Sequence, residues 1–213
     1  MIRAMSYTDG EAATFEEVTA AAEAPGTTWV WVNAADGDAA AVREEQGDAG
    51  RVPQPTGDLA AVTERFDIHP LHVEDVLGDA RPKSELLDEY AFLLVKSARF
   101  RVGETTFLEE IRTRPVGVFV GDDWLVTVTT TGDDAVEAVW NRLAGADRRA
   151  LARGADFAGY LVVDRIVDGY FRLLDELEDD IETVEERVIE APDPNTLAAI
   201  NELRRELLSV RRG

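Results

Sequence analysis

The chain has 213 residues, is 45% hydrophobic, and carries 43 Asp and Glu against 22 Lys and Arg for a formal net charge of -21. An ordinary apolar share with aromatics spread along the chain implies a packed core, which excludes a disordered acidic polypeptide. With no Cys and only two His, disulfides, thiolate metal sites and Cys nucleophiles are excluded, and little imidazole remains for zinc.

No apolar run approaches the roughly 18 residues that a membrane span needs. The N-terminus also lacks the basic-then-apolar order of a secretory signal. Taken as it stands, the chain reads as soluble and intracellular. Lys83 and Lys96 are its only lysines. Such a surface repels nucleic acid and attracts cations. Halophilic adaptation, in which a salt-rich cytoplasm screens self-repulsion, accounts for the overall excess of acid. An acidic residue therefore acquires meaning only from its position.

In chain order, Glu11 to Ala22 has a helix-like pattern, and Thr28 to Asn33 (TWVWVN) is β-branched and aromatic, as a strand requires. Ala35 to Pro55 is rich in Ala, Gly, Asp and Pro and reads as a surface insertion. Leu59 to Phe66 and a short segment opening near Pro70 are helix-like, and Tyr90 to Arg99 is a long apolar run. Pro115 to Val120 and Trp124 to Thr130 flank the turn Gly121-Asp122-Asp123 and read as a hairpin. Strands alternating with helices give an α/β (α+β) fold class with a mixed sheet.

From Asp133 the pattern becomes helical. Ala135 to Ala144 and Ala146 to Arg153 read as short helices, and Ala155 to Ala191 as one long helix broken by no Pro. Within it Val163, Val167, Tyr170, Leu174, Leu177, Ile181, Val184 and Val188 recur at alternating steps of four and three, the seam of a coiled coil. Pro192 and Pro194 interrupt the helix, and Leu197, Ile200, Leu203, Leu207 and Val210 resume the spacing, as in an antiparallel helical hairpin. The domain expectation is thus an α/β domain over 1–154, with its insertion at 35–55, followed by a long hairpin over 155–213. Arg211-Arg212-Gly213 falls mid-pattern, which points to a piece of something longer.

Two acidic constellations stand out. At 100° per residue Asp164, Asp168, Asp175, Asp179, Glu182 and Glu186 fall within an arc of about 60° on the long helix. Like charges at i,i+4 destabilise a helix, so a cation or basic partner would relieve Asp164/Asp168 and Asp175/Asp179, whereas a solvated acidic face is the plain alternative. Tyr160, Leu161, Val162, Val163, Ile166 and Val167 surround the first pair with apolar residues and predict its partial burial.

The second constellation is Glu74 and Asp75 in HPLHVEDVLGDARPKSE. Pro70 suits a first helical turn, and acids near that end also favour the helix dipole. His69 and His72 read as a cap-region residue and a packing residue, since no further His or Cys completes a zinc set. Carboxylates alone suit hard cations, and Mg²⁺ takes one or two of them while keeping several waters.

HPLHVEDVL followed by RPKSELLDEYAFLLVK resembles a segment of the CorA-type magnesium transporter family. LVVDRIVDGYFRLLDELEDDIETVEERVI resembles the helix that follows in that family, and NELRRELLSVRR its continuation towards the stalk. The resemblance covers most of residues 57 to 213 in the same order. It implies a cytoplasmic α/β domain with helices on both sides of a mixed sheet, carrying a long helical hairpin. It also implies a homopentamer attached to the membrane through C-terminal transmembrane helices absent from this sequence, while the acidic surface argues against a nucleic-acid partner. By motif match it carries cation sensing to Glu74 and Asp75 and to Asp164 and Asp168, with Mg²⁺ or Co²⁺ as the ion and a partner carboxylate on the adjacent stalk. Mg²⁺ bound between protomers would then favour the closed state. The alternatives are a zinc transporter of the same superfamily, with His69 and His72 aiding selectivity, and a soluble coiled-coil scaffold without a specific cation site. An enzyme finds no support, because the chain offers no phosphate-cradling Gly-rich loop, no Gly-x-Ser-x-Gly elbow and no Ser nucleophile beside a base.

Overall fold

The computed structural model describes residues 1–8, 11–34, 57–78, 80–101, 110–145, 152–190 and 200–201. The elements in order are β1 (Ile2–Thr8), β2 (Glu11–Phe15), α1 (Val18–Glu23), β3 (Thr27–Asn33), α2 (Gly57–Arg65) and α3 (Pro70–Leu77), then β4 (Lys83–Leu86), β5 (Ala91–Arg101), β6 (Glu110–Val120), β7 (Trp124–Thr129), α4 (Asp134–Ala144) and α5 (Ala155–Glu190). The strands form one seven-stranded sheet in the order β2-β1-β3-β7-β6-β5-β4. Its β3–β7 pair is parallel and its β6–β7 and β4–β5 pairs antiparallel, so the sheet is mixed, as expected. The chain divides into two compact units, one of residues 1–95 and 114–165, the other of residues 96–113 and 166–213.

In the first unit, alternation along β3 explains why both faces of the sheet are covered. Val30 and Val32 point into a core shared with Val18, Leu59, Val62, Val73 and Val76 of α1, α2 and α3. Trp29 and Trp31 point to the opposite face, with ring centroids 5.0 and 6.3 Å from that of Trp140 on α4. A central strand buried on both faces reads as a continuous apolar run, which is what TWVWVN is. The indole N–H groups lose no hydrogen bond on burial, since Trp29 Nε1 donates to Thr127 Oγ1 and Trp31 Nε1 to Thr129 Oγ1, each at 3.1 Å. Helices therefore lie on both sides of the sheet.

Two glycines permit close approach. A Cβ on Gly117 of β6 would stand 2.5 Å from Val76 Cγ2 of α3, and one on Gly159 of α5 would stand 3.0 Å from Val120 Cγ2. At Gly117 the absent side chain lets α3 lie against the sheet.

The helix expected over Glu11 to Ala22 is corrected by the structure. Glu11–Phe15 is an edge strand registered against β1, with Ala4 opposite Phe15 and Thr8 opposite Glu11, and only Val18–Glu23 is helical. Pairing with a neighbouring edge outweighs the helix propensity of Ala and Glu in so short a segment. Strands β1 and β4 were not anticipated. The insertion at 35–55 and the second arm of the hairpin over Leu197 to Val210, apart from the helical Ile200 and Asn201, lie outside the described residues, as does most of the helix expected over Ala146 to Arg153.

In the second unit, Leu173 and Leu177 of α5 are buried with Tyr170, Ile181 and Ala98 packed around them. The Tyr170 hydroxyl donates to the Lys96 carbonyl at 3.0 Å. The heptad seam holds only in part. Leu177 and Val184 are buried, but Val167, Leu174 and Val188 are 47%, 48% and 42% exposed, and Leu173 takes a buried place that the seam does not include. The arm expected to pair with this seam lies mostly outside the described residues.

Candidate cation-responsive site

Helix α3 begins where the sequence places it. Pro70 occupies the first turn, and His69 is the N-cap, its Nδ1 accepting from the Leu71 N–H at 3.2 Å. One turn on, His72, Val73 and Val76 are buried, which leaves Glu74 and Asp75 half-buried along the rim. Across from that rim runs β4, registered so that Glu85 lies opposite Phe92 and Lys83 opposite Leu94 of β5. Residues two apart on a strand share a face. Lys83 and Glu85 therefore project to the side where Phe92 and Leu94 meet α3, whereas Leu86 projects the other way and is 87% exposed.

An open pocket of about 500 Å³ results, lined by His69, Leu71, His72, Glu74, Asp75, Lys83, Glu85 and Leu87. At its centre Lys83 Nζ lies 2.6 Å from Asp75 Oδ2 and 2.7 Å from Glu85 Oε1. The hydrogen bonds to Asp75 and then Glu85 hold the ammonium above its usual pKa. Glu85 is held below its usual carboxylate range, first by Lys83 and then by His72.

Behind the ion pairs a chain of hydrogen bonds runs into the core. The Tyr90 hydroxyl accepts from the His69 N–H at 2.9 Å and lies 2.8 Å from His72 Nδ1. His72 Nε2 lies 3.1 Å from Glu85 Oε2. A neutral ring protonated on Nε2 satisfies every member: Tyr90 donates to Nδ1, and Nε2–H donates to Glu85. The ring stacks on Phe92 with centroids 4.3 Å apart, which fixes its plane. His72 is therefore the packing residue expected and His69 the cap, and both nitrogens of His72 are already engaged.

Of the residues singled out by motif, Glu74 and Asp75 share this pocket. Asp164 and Asp168 lie on α5, the first within the first unit and the second within the other. Both are exposed, which corrects the expectation that their apolar flanks would partly bury them. Leu161, Val162 and Ile166 take the buried stripe, and the helical turn carries the carboxylates away from it. Asp175, Asp179, Glu182 and Glu186 are exposed too, so the acidic arc is solvated. Asp164 Oδ1 accepts from the Tyr160 hydroxyl at 3.1 Å. Among the described residues no group of three or more His, Asp or Glu is arranged to hold a metal ion. The oxygen-only donor set of Glu74 and Asp75 suits a hard dication, and the ammonium already seated against Asp75 shows that the rim accommodates positive charge.

Sequence reasoning passed over Lys83, Glu85 and Tyr90. The spacing of Lys83 and Glu85 was the available signal: opposite charges two residues apart, just after Pro82, are suited to one face of a short edge strand.

No helix among the described residues is long and apolar enough to cross a membrane. A family described as CorA-like Mg²⁺ transporter protein matches residues 52–213. The chain is 30% identical over 152 residues to the cobalt/magnesium transport protein CorA of Thermotoga maritima, covering 71% of this chain and 42% of that protein. It is 28% identical over 161 residues to the putative metal ion transporter YfjQ of Bacillus subtilis, covering 75% of this chain and 47% of that protein. The matched stretch thus spans less than half the length of either relative. Among solved structures the fold resembles the soluble domain of CorA from Methanocaldococcus jannaschii, with a TM-score of 0.70 at 18% identity over 98% of this chain and 72% of that one. It also resembles the cytoplasmic domain of ZntB from Vibrio parahaemolyticus, with a TM-score of 0.54 at 17% identity over 99% of this chain and 72% of that one. The family match over residues 52–213, together with the 30% identity to the Thermotoga maritima protein, shows that this chain belongs to the CorA-like Mg²⁺ transporter family.

Proposed function

We propose that the chain is the cytoplasmic, cation-sensing part of a homopentameric magnesium or cobalt transporter, attached to the membrane by helices beyond this sequence. The family match over residues 52–213 carries this reading. The CorA of Thermotoga maritima is named a cobalt/magnesium transport protein, and the likeness to it supports this reading. Glu74 and Asp75 supply carboxylates on one rim, and Asp164 and Asp168 supply exposed carboxylates elsewhere on the surface.

Mg²⁺, held partly through water, would neutralise carboxylates that otherwise repel, and so favour the closed assembly. Falling Mg²⁺ would restore the repulsion and part the domains. The energies are modest: a tenfold difference in affinity between two states is about 1.4 kcal/mol per site, and symmetric copies multiply it. Val167, Phe171 and Leu174 of α5, all more than 45% exposed, add apolar surface for self-association. A zinc transporter of the same superfamily is the second reading, which the fold shared with ZntB fits equally, although His72 uses both ring nitrogens and His69 uses Nδ1 as a cap.

The test is a Mg²⁺ titration, by calorimetry and thermal shift at fixed ionic strength, of the native chain, Asp75→Ala and Asp164→Ala. Each substitution should weaken the response. Identical responses from all three would remove these residues from cation sensing.

A further inference from the structure

Resting on the reading that Asp75 is a cation ligand, we infer that Lys83 is a tethered counter-ion that competes with the divalent cation for Asp75, and that Glu85 receives the displaced ammonium. The site then carries its own threshold, because a dication must displace an internal positive charge before it can occupy the carboxylate.

Geometry supports each part. Lys83 Nζ donates to Asp75 Oδ2 at 2.6 Å, close enough that a dication bound by that carboxylate would meet a like charge within the same shell. The ammonium is not loosely waving in solvent: its side chain is 35% exposed, and Nζ lies 5.7 Å from the centroid of the Phe92 ring. Lysine suits such a role because its compact charge sits on a flexible stem that can change partners without moving the backbone. Glu85 provides the second berth. Its Oε1 already accepts from Lys83 at 2.7 Å, and its Oε2 lies 3.1 Å from His72 Nε2. His72 is buried against Phe92 and bonded to Tyr90, so the berth is anchored to the core. An ammonium that releases Asp75 therefore remains within the pocket on Glu85.

The two residues should act in opposite directions and through each other. Lys83→Met removes the competitor, and Glu85→Gln takes from the ammonium the second carboxylate that it pairs with beside Asp75. Partly exposed ion pairs are weak, so the expected change in half-saturating Mg²⁺ is about two- to fivefold in each case, downward for Lys83→Met and upward for Glu85→Gln. Non-additivity separates this from bulk electrostatics: in the Lys83→Met background, Glu85→Gln should lose most of its effect. Arg81→Met changes the net charge as Lys83→Met does, from an exposed side chain outside the pocket, and should leave half-saturation unchanged.

The experiment is calorimetric titration of the full 213-residue chain and these variants with magnesium chloride at fixed ionic strength, alongside the Lys83 ammonium resonance followed by nitrogen NMR. Support consists of opposite shifts for Lys83→Met and Glu85→Gln, a non-additive double variant, a silent Arg81→Met and a Lys83 resonance that moves with Mg²⁺. If Asp75→Asn weakens binding while Lys83→Met matches the native chain or Arg81→Met, the competition is overturned and Asp75 remains a ligand. A magnesium response unaltered by Asp75→Asn, or none at all in the native chain, overturns the ligand reading and the competition with it.

Discussion

Removing the Tyr90 hydroxyl would take a partner from the buried His72 Nδ1 and from the part-buried His69 N–H. Unsatisfied buried groups cost about 1–3 kcal/mol, so Tyr90→Phe should lower the unfolding free energy by that amount in urea titration. A change below a few tenths of a kcal/mol would mean that water or a rotated His72 replaces the hydroxyl. Tyr90 also bears on alkaline stability. Burial holds the phenols of Tyr90 and Tyr170 above the usual value of 10.0. The unfolded chain therefore releases those protons first, so their contribution is intact below the unfolded value and is lost as pH rises through the folded one. Unfolding free energy followed from about pH 8 to about pH 11 should fall at the alkaline end, and more gently in Tyr90→Phe and Tyr170→Phe; equal slopes in all three would refute the assignment. At this scale the sequence was legible for His69 and His72, whose roles followed from Pro70 and the lack of further ligands. It was silent on Tyr90, because its hydroxyl partners lie 21 and 18 residues away in the chain and meet only after folding.

Among the elements, α3 depends on a residue that it does not contain. A Cβ at Gly117 of β6 would stand 2.5 Å from Val76 Cγ2 and 3.1 Å from Phe119 Cε2, so Gly117→Ala must push α3 outward or displace packed side chains. Overpacking of this kind costs about 1–3 kcal/mol. Because Asp75 follows α3 while Lys83 follows β4, the same substitution should also lengthen their ion pair and alter the Lys83 ammonium resonance. A native-like melting curve together with an unchanged resonance would show that the helix does not rest on that strand as described. Elements with strong local signals were readable, notably β3, the β6–β7 hairpin and the long α5. The edge strands were not. Glu11–Phe15 and Lys83–Leu86 have 5 and 4 residues, and backbone pairing with a neighbour rather than side-chain pattern makes them strands. The seam on α5 is matched only in part: Leu173, outside the repeat, is buried beside Ala98 of β5, while the arm expected to pair with the seam lies mostly outside the described residues.

For the whole molecule, a formal charge of -21 on 213 residues means that self-repulsion opposes compaction. Raising the ionic strength from about 0.1 to about 1 M shortens the Debye length from about 10 to about 3 Å, so the midpoint of thermal unfolding should rise with sodium chloride. An unchanged or falling midpoint would show that native ion pairs outweigh the repulsion. The same charge explains why acidic residues were poor guides to a site: Asp175, Asp179, Glu182 and Glu186 are solvated, as are Asp164 and Asp168, and composition does not separate ligand from surface. The sequence by itself determined the α/β class, the helix start at Pro70, the pairing of β6 with β7 and the family, because local periodicity, turn chemistry and linked motifs are properties of neighbouring residues. Only the tertiary structure decided that Lys83 sits between Asp75 and Glu85 and that Asp164 faces solvent, because the first depends on how α3 meets the sheet edge across Gly117, and the second on which side of α5 the sheet selects.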